Sequence, residues 1–189
     1  MLKPYIVIDN ILDDPYELVR LSKSTGYFSK EKDIPSGLNV IDGEAPGGSW
    51  RGFRSQALHT INPDLFLTTC NQIISKTFKK PGFAYNIRAF LHVLTNDVKY
   101  GTFETWHRDD SVIFAGVIYL SPSPNKTAGT ELNIDGDIIS IENKFNRLLL
   151  YDSHILHTPA NWLSSELDNK RITLTFFIDS LELISVRGI

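Results

Sequence analysis

The sequence predicts an α+β chain that is mainly β: a double-stranded β-helix, or jelly roll, with helices packed on one outer face. Three observations carry this. From residue 84 onward, runs rich in Ile, Val, Leu, Thr and Phe follow one another, most of them separated by turn residues. Two helix starts, Asp14-Pro15 and Asn62-Pro63, both precede that region. A series of strands after a pair of helices folds as a two-sheet sandwich with the helices segregated to one side.

In chain order, Tyr5–Ile8 reads as a short strand. Asp14 caps a helix with Pro15 at its first position, and Leu18, Leu21 and Phe28 are its candidate core contacts. Residues 31–57 are the least regular part, because Pro35, Gly37, Gly43, Pro46, Gly47 and Gly48 interrupt any long element. After Asn62-Pro63 a helix runs to about Phe78, with Leu65, Thr69, Ile73, Ile74 and Phe78 on one face. The predicted strands are 85–94, 102–109, 112–120, 130–134, 137–141, 147–151 and 171–178. Pro122, Pro124, Asn125 and Gly129 mark one turn, and Asp135-Gly136 marks a two-residue hairpin.

Composition bounds the function. The chain has 189 residues, enough for one domain with a sizeable core. Apolar residues make up 42% and charged residues 22%, an ordinary globular balance. The net charge is −3 with no basic stripe, so no nucleic-acid footprint is evident; Lys76, Lys79 and Lys80 read as a solvated helix end. Cys70 is the only cysteine, which fits a reducing, cytoplasmic setting. No apolar run is long enough for a membrane span, and Met1-Leu2-Lys3-Pro4 does not open a signal peptide.

The chemistry-bearing residues are scattered. His107 and Asp109 stand two apart in Trp106-His107-Arg108-Asp109-Asp110, so on a strand both face one side while Arg108 faces the other. A further histidine comes far downstream, His154 or His157, and Arg171 comes later still. Two imidazoles and one carboxylate are the facial ligand set of non-haem Fe(II), which leaves open positions on the metal. An arginine on a later strand is what a co-substrate carboxylate needs. Taken singly, His-x-Asp is commonly a hydrogen-bonded surface pair, and Arg171 a surface ion pair.

The ordered set His107–Asp109, Ala128–Leu132, Tyr151–His157 and Arg171–Thr173 resembles the 2-oxoglutarate- and Fe(II)-dependent oxygenases, on their prolyl 4-hydroxylase-like side. The resemblance covers roughly residues 85–180. It implies a single oxygenase domain over 1–189, with 1–83 as helical support and loop and 84–180 as the jelly-roll core. It selects His157 over His154 and implies His107, Asp109 and His157 as metal ligands. Arg171, with Thr173 on the same strand face and Tyr85 on an earlier strand, would bind 2-oxoglutarate. The implied catalytic set is His107, Asp109, His157 and Arg171. The implied activity is hydroxylation of a peptide or small molecule by O2, with release of succinate and carbon dioxide. Two departures stand out: Ala128 replaces a glycine of the family's strand start, and Arg171 stands where prolyl hydroxylases proper usually carry lysine.

Arg88 and His92 lie beside Tyr85 on that earlier strand, although His92 and His59 also read as structural histidines. Tyr100 and Trp106 are candidate pocket walls, and Trp50, Arg51 and Arg54 candidate substrate contacts. Two rival readings remain at this level. One is a cupin-like metal dioxygenase without 2-oxoglutarate, which Arg171 argues against. The other is a non-catalytic jelly-roll binding module. Neither the prime substrate nor the oligomeric state is legible.

Overall fold

The chain begins with β1 (Tyr5–Asp9), α1 (Pro15–Ser24), β2 (Gly26–Phe28), β3 (Asn39–Val40), β4 (Phe53–Ala57), α2 (Leu58–Ile61) and α3 (Pro63–Phe78). There follow β5 (Phe83–Leu94), β6 (Phe114–Tyr119), β7 (Thr130–Ile134), β8 (Asp137–Ile141), β9 (Arg147–Asp152), β10 (Leu156–Pro159) and β11 (Arg171–Leu183). The structure is a computed structural model and describes residues 4–29, 37–43, 50, 52–78, 82–95, 106–160 and 170–183. Among these, no helix is long and apolar enough to cross a membrane.

An eight-strand sheet runs in the order β1-β9-β6-β11-β5-β4-β2-β3, and a three-strand sheet in the order β10-β7-β8. Every pairing is antiparallel except β2 with β3. An isolated antiparallel bridge between His107 and His157 extends the smaller sheet by one position beyond β10. The four central strands of the large sheet and the four positions of the small one form the two walls of a jelly roll.

Strand alternation assigns the faces. On β6, Ile118 packs on the helical side with Leu174, Phe176 and Ile178 of β11, and Leu18, Val19, Cys70, Ile73 and Ile74 of α1 and α3 cover them. Ala115, Val117 and Tyr119 point the other way, onto Leu132, Ile141, Leu149 and Tyr151, and fill the space between the sheets. Both faces of β6 and β9 are therefore buried, which explains their near-continuous apolar sequences. Each fully buried Leu, Ile or Phe here contributes roughly 1.5–3 kcal/mol.

Local signals behave as their chemistry requires. The Asp14 carboxylate accepts from the Tyr16 N–H at 2.9 Å, and the Asn62 side chain from the Leu65 N–H at 3.1 Å. Asp135 and Gly136 both take positive φ, 55° and 96°, in the two-residue turn between β7 and β8.

Three expectations need correction. The irregular stretch 31–57 contains β3 and β4, and β4 pairs with β5 around an irregularity between Arg54 and Ala57. Only the end of the predicted strand 102–109 is described; there His107 makes its single bridge, and Arg108 and Asp109 lie off any strand. Finally, β10 was not expected, since His157 and Thr158 sit in a short segment between turn residues and Pro159.

Candidate metal centre

His107, Asp109 and His157 come together between the two sheets. The Nε2 of His157 lies 3.4 Å from Asp109 Oδ2, and that of His107 lies 4.0 Å from Asp109 Oδ1. The imidazole centroids are 4.2 Å apart, and one potential ligand atom from each residue lies within 4.8 Å of the others. Ligand atoms at right angles on a metal with bonds of about 2.1 Å sit about 3 Å apart, so small side-chain rotations bring this set onto one ion.

The backbone explains how Asp109 reaches the site without a strand. His107 and His157 exchange two N–H···O bonds of 3.0 Å, and the Asp109 N–H donates to Ser153 O at 3.0 Å. The Ser153 N–H then bonds Ile113 O, and its hydroxyl donates to Val112 O. The segment is thus stitched to the turn before β10 on both sides of its bend. Arg108 points outward, as expected, and donates to His154 O at 2.9 Å.

His157 is 5% exposed and presents the ring atom that a ligand requires. Its Nδ1 sits 2.9 Å from Ile155 O, so Nδ1 carries the proton and Nε2 offers its lone pair towards Asp109. Burial, with the charge of His107 adding to it, pushes the His157 imidazolium down to about 4. The Tyr151 ring supports it at 4.6 Å. Burial raises the Asp109 carboxyl, against the opposing charges of His107, Arg54 and Arg88. An acid held among cations with burial against it is well matched to a divalent cation. His154 by contrast is exposed and pairs with Asp152 at 3.0 Å, away from the cluster.

Arg171 occupies the inner face of β11. It is 5% exposed; Nε donates to Ala128 O at 2.9 Å, and Nη2 to Gly129 O at 3.1 Å and to Thr130 Oγ1 at 3.3 Å. Burial lowers its pKa, partly offset by Tyr119, whose ring lies 5.5 Å from the guanidinium carbon. The Tyr119 hydroxyl donates to Thr130 Oγ1 at 2.8 Å. No carboxylate pairs with Arg171 among the described residues, so a full charge is held by neutral acceptors alone.

The departure at the strand start is explained here. A Cβ on Gly129 would stand 1.8 Å from Ile141 O, so only glycine fits beside β8, whereas the fully buried Ala128 contributes its carbonyl to Arg171.

The remaining candidates divide. Thr173 is buried on the same face as Arg171, opposite His92 and Tyr119, and its hydroxyl reaches His92 O at 3.5 Å. Arg88 and His92 share that inner face; Arg88 is paired to Asp179 through 3.0 and 2.8 Å contacts. Trp50 and Arg54 stack together beside Phe90 and Phe177. Tyr85 is the correction: its phase on β5 turns it to the helical side, where its hydroxyl donates to Asn71 at 2.8 Å. It pairs with Leu181, while Leu94 pairs with Arg171, a separation of roughly 30 Å along the strand. His59 packs on Phe66, remote from the cluster, and Trp106 is half-buried next to His107. Arg51 and Tyr100 lie outside the described residues. Sequence reasoning did not single out Tyr119, whereas Thr130 and Tyr151 fall within the segments Ala128–Leu132 and Tyr151–His157; alternation along 112–120 is the signal that places Tyr119 inward.

No family model matches this chain, and no curated protein does. Solved structures do. A prolyl hydroxylase from Trichoplax adhaerens, in complex with a hypoxia-inducible-factor oxygen-degradation-domain peptide, matches with a TM-score of 0.59 and 13% identity, over 94% of this chain and 84% of that one. A 2OG-Fe(II) oxygenase family oxidoreductase from Burkholderia pseudomallei matches at 0.56 and 13%, over 93% and 85%. EvdO2 from Micromonospora carbonacea var. aurantiaca, complexed with 2-oxoglutarate, matches at 0.56 and 10%, over 96% and 89%. At these identities the likeness is one of fold: the chain has the jelly-roll fold of the 2-oxoglutarate/Fe(II) oxygenases, prolyl hydroxylases among them.

Proposed function

We propose that this chain, which has the fold of the 2-oxoglutarate/Fe(II) oxygenases, is itself such an enzyme, a single-domain hydroxylase. The observation that carries the reading is the cluster of His107, Asp109 and His157, with one potential ligand atom of each within 4.8 Å of the others, and Arg171 buried with no carboxylate partner among the described residues. A metal dioxygenase without a 2-oxo acid gives no reason to bury that guanidinium. A binding module gives no reason to hold His157 in its ligand tautomer.

When bound, Fe(II) with 2-oxoglutarate and O2 supplies the oxidation of a substrate C–H bond to an alcohol, with release of succinate and carbon dioxide. The chain's own part is binding and orientation. Ile155 O holds the Nδ1 proton of His157, which keeps Nε2 available as a ligand. Asp109 brings the negative charge; burial raises its carboxyl, and the charges of His107, Arg54 and Arg88 oppose that rise. Arg171 pairs with the co-substrate's far carboxylate, exchanging part of its contact with the Ala128 and Gly129 carbonyls for a charged acceptor. Tyr119 and Thr130 stand beside that position with their hydroxyls. Val117, Leu132, Leu149 and Tyr151 exclude water from the space between the sheets.

The test is succinate release from 2-oxoglutarate by the Fe(II)-supplemented protein in air. The parent is expected to turn over slowly without a prime substrate. His157→Ala should abolish both metal binding and succinate release, and His154→Ala should keep metal binding. Metal binding that survives in His157→Ala and disappears in His154→Ala would show that the wrong histidine has been chosen.

A further inference from the structure

Two guanidiniums on the inner face of the large sheet are buried without an ion-pair partner among the described residues. One is Arg171, already given an occupant by the proposed function. The other is Arg54 on β4, 7% exposed, with an Nε that has no hydrogen-bond partner among the described residues. Register places Arg54, His92, Thr173 and Tyr119 in one row across β4, β5, β11 and β6. Two strand spacings separate β4 from β11, about 10 Å.

The surroundings of Arg54 say what it lacks. The Trp50 ring lies over the guanidinium carbon at 4.1 Å, and the Phe90 and Phe177 rings stand at 5.1 and 5.9 Å. Aromatic rings are attracted to a cation, yet they offer no in-plane acceptor, and the Arg54 Nε–H has none among the described residues. Burial pulls the group down to about 10, against the charge of Asp109, which supports the cation. Asp109 is not an available partner once it holds a metal. Arg88, which also feels Asp109, is already neutralised by Asp179. A buried charge with no ion-pair partner among the described residues lowers stability, so a purely structural role gives no reason to keep it.

We propose that Arg54 anchors the prime substrate, and that this substrate is a small carboxylic acid whose carboxylate pairs with the Arg54 guanidinium while a C–H bond faces the His107–Asp109–His157 centre. The inference rests on the proposed function and adds the substrate class to it. A planar fork at the edge of an aromatic stack fits a carboxylate through two parallel N–H···O bonds. Arg171 and Arg54 then divide the anions between them, the co-substrate on the β11 side and the substrate on the β4 side.

Two measurements test this. In the 15N-labelled protein supplied with Zn(II) and 2-oxoglutarate, the Arg54 Nε–H resonance, assigned by its loss in Arg54→Met and Arg54→Lys, is followed while acetate or acetamide is added. Acetate should move it saturably, and acetamide should not. No response to acetate, an equal response to acetamide, or the same movement on adding 2-oxoglutarate alone overturns the proposal; the last result would give Arg54 to the co-substrate.

In the Fe(II)-supplemented protein, succinate release is compared across the common L-amino acids, simple mono- and dicarboxylic acids, and their carboxamides. At least one acid should stimulate release, its carboxamide should be at least about 30-fold weaker, and Arg54→Met should lose the stimulation by a similar factor. Arg54→Lys should fall between, keeping the charge without the fork. Arg54→Met should also melt at a higher temperature than the parent, because a buried cation is replaced by an apolar chain of similar length. In a parent that does release succinate, stimulation by carboxamides as strong as by acids, or no acid that stimulates, overturns it. Failure of the oxygenase reading looks different: no succinate from the parent, with the acetate response intact.

Discussion

In the proposed function, Arg171 is the side chain that binds the co-substrate. It carries a full charge in a buried position and is held by two carbonyls and a hydroxyl. If 2-oxoglutarate is its partner, Arg171→Ala should raise the apparent KM for 2-oxoglutarate strongly. Losing a charge-assisted bidentate contact at a buried site corresponds to about 2–4 kcal/mol, roughly 30- to 1,000-fold. Arg171→Lys should recover part of this, and Thr173→Val should do little, since the Thr173 hydroxyl makes only a 3.5 Å contact with His92 O. Titration of 2-oxoglutarate by succinate production in the three variants checks the order. Residue types and order proposed His107, Asp109 and Arg171 as candidates, and the family resemblance chose His157 over His154; the structure brings His107, Asp109 and His157 together. Tyr85 was misread because strand membership alone does not fix phase; the helices, not the pocket, claim its side of β5. Tyr119 was overlooked because a buried tyrosine on a strand looks like core in any sequence.

At the scale of elements, the strands hold the site through a few points where substitution has a definite direction. Gly129 lets β7 lie against the end of β8, and its carbonyl accepts from both Arg171 Nη2 and the Ala160 N–H. Gly129→Ala should therefore destabilise by about 1–3 kcal/mol, the usual range for overpacking, seen as a lower urea midpoint. At the opposite edge, Asp9 of β1 accepts from Arg147 at 2.6 Å and from Lys144 at 2.7 Å, and those bonds depress its carboxyl from 3.8 to about 2. A depressed carboxylate contributes stability above its unfolded pKa and loses it as pH falls through the folded one. Asp9→Asn should lower stability by about 1 kcal/mol at neutral pH, discounted because the carboxylate is partly exposed. The difference should close between about pH 4 and about pH 2, read from urea midpoints across that range. Element types were legible where a cap or a turn announced them: Asp14, Asn62 and Asp135-Gly136 each sit where the sequence puts them. The short strands β3, β4 and β10 were not, because pairing with distant partners sustains them. In β4 the fully buried Phe53 locks against β5, which no local pattern within a glycine- and proline-rich stretch reveals.

For the whole molecule, the jelly roll follows from burying both faces of its central strands. Helices α1 and α3 cover one side, the small sheet covers the other, and the candidate ligand cluster sits where the small sheet meets the bend at His107–Asp109. The two-layer architecture was readable from strand number and helix order, but the position of Asp109 was not. It depends on bonds to Ser153 and on the turn before β6, which tie together parts of the chain far apart in sequence. A metal and co-substrate that bind only this folded arrangement should raise its melting temperature together, and less so in each ligand variant. The most direct test of the central claim is an oxygen-free calorimetric titration of 2-oxoglutarate into the protein with and without Fe(II). The predicted result is saturable binding to a single site in the Fe(II)-loaded parent, lost without metal, lost in His157→Ala and weakened by at least about 30-fold in Arg171→Ala. Fe(II)-loaded parent that takes up no 2-oxoglutarate, or Arg171→Ala that binds it as tightly as the parent, would contradict the account.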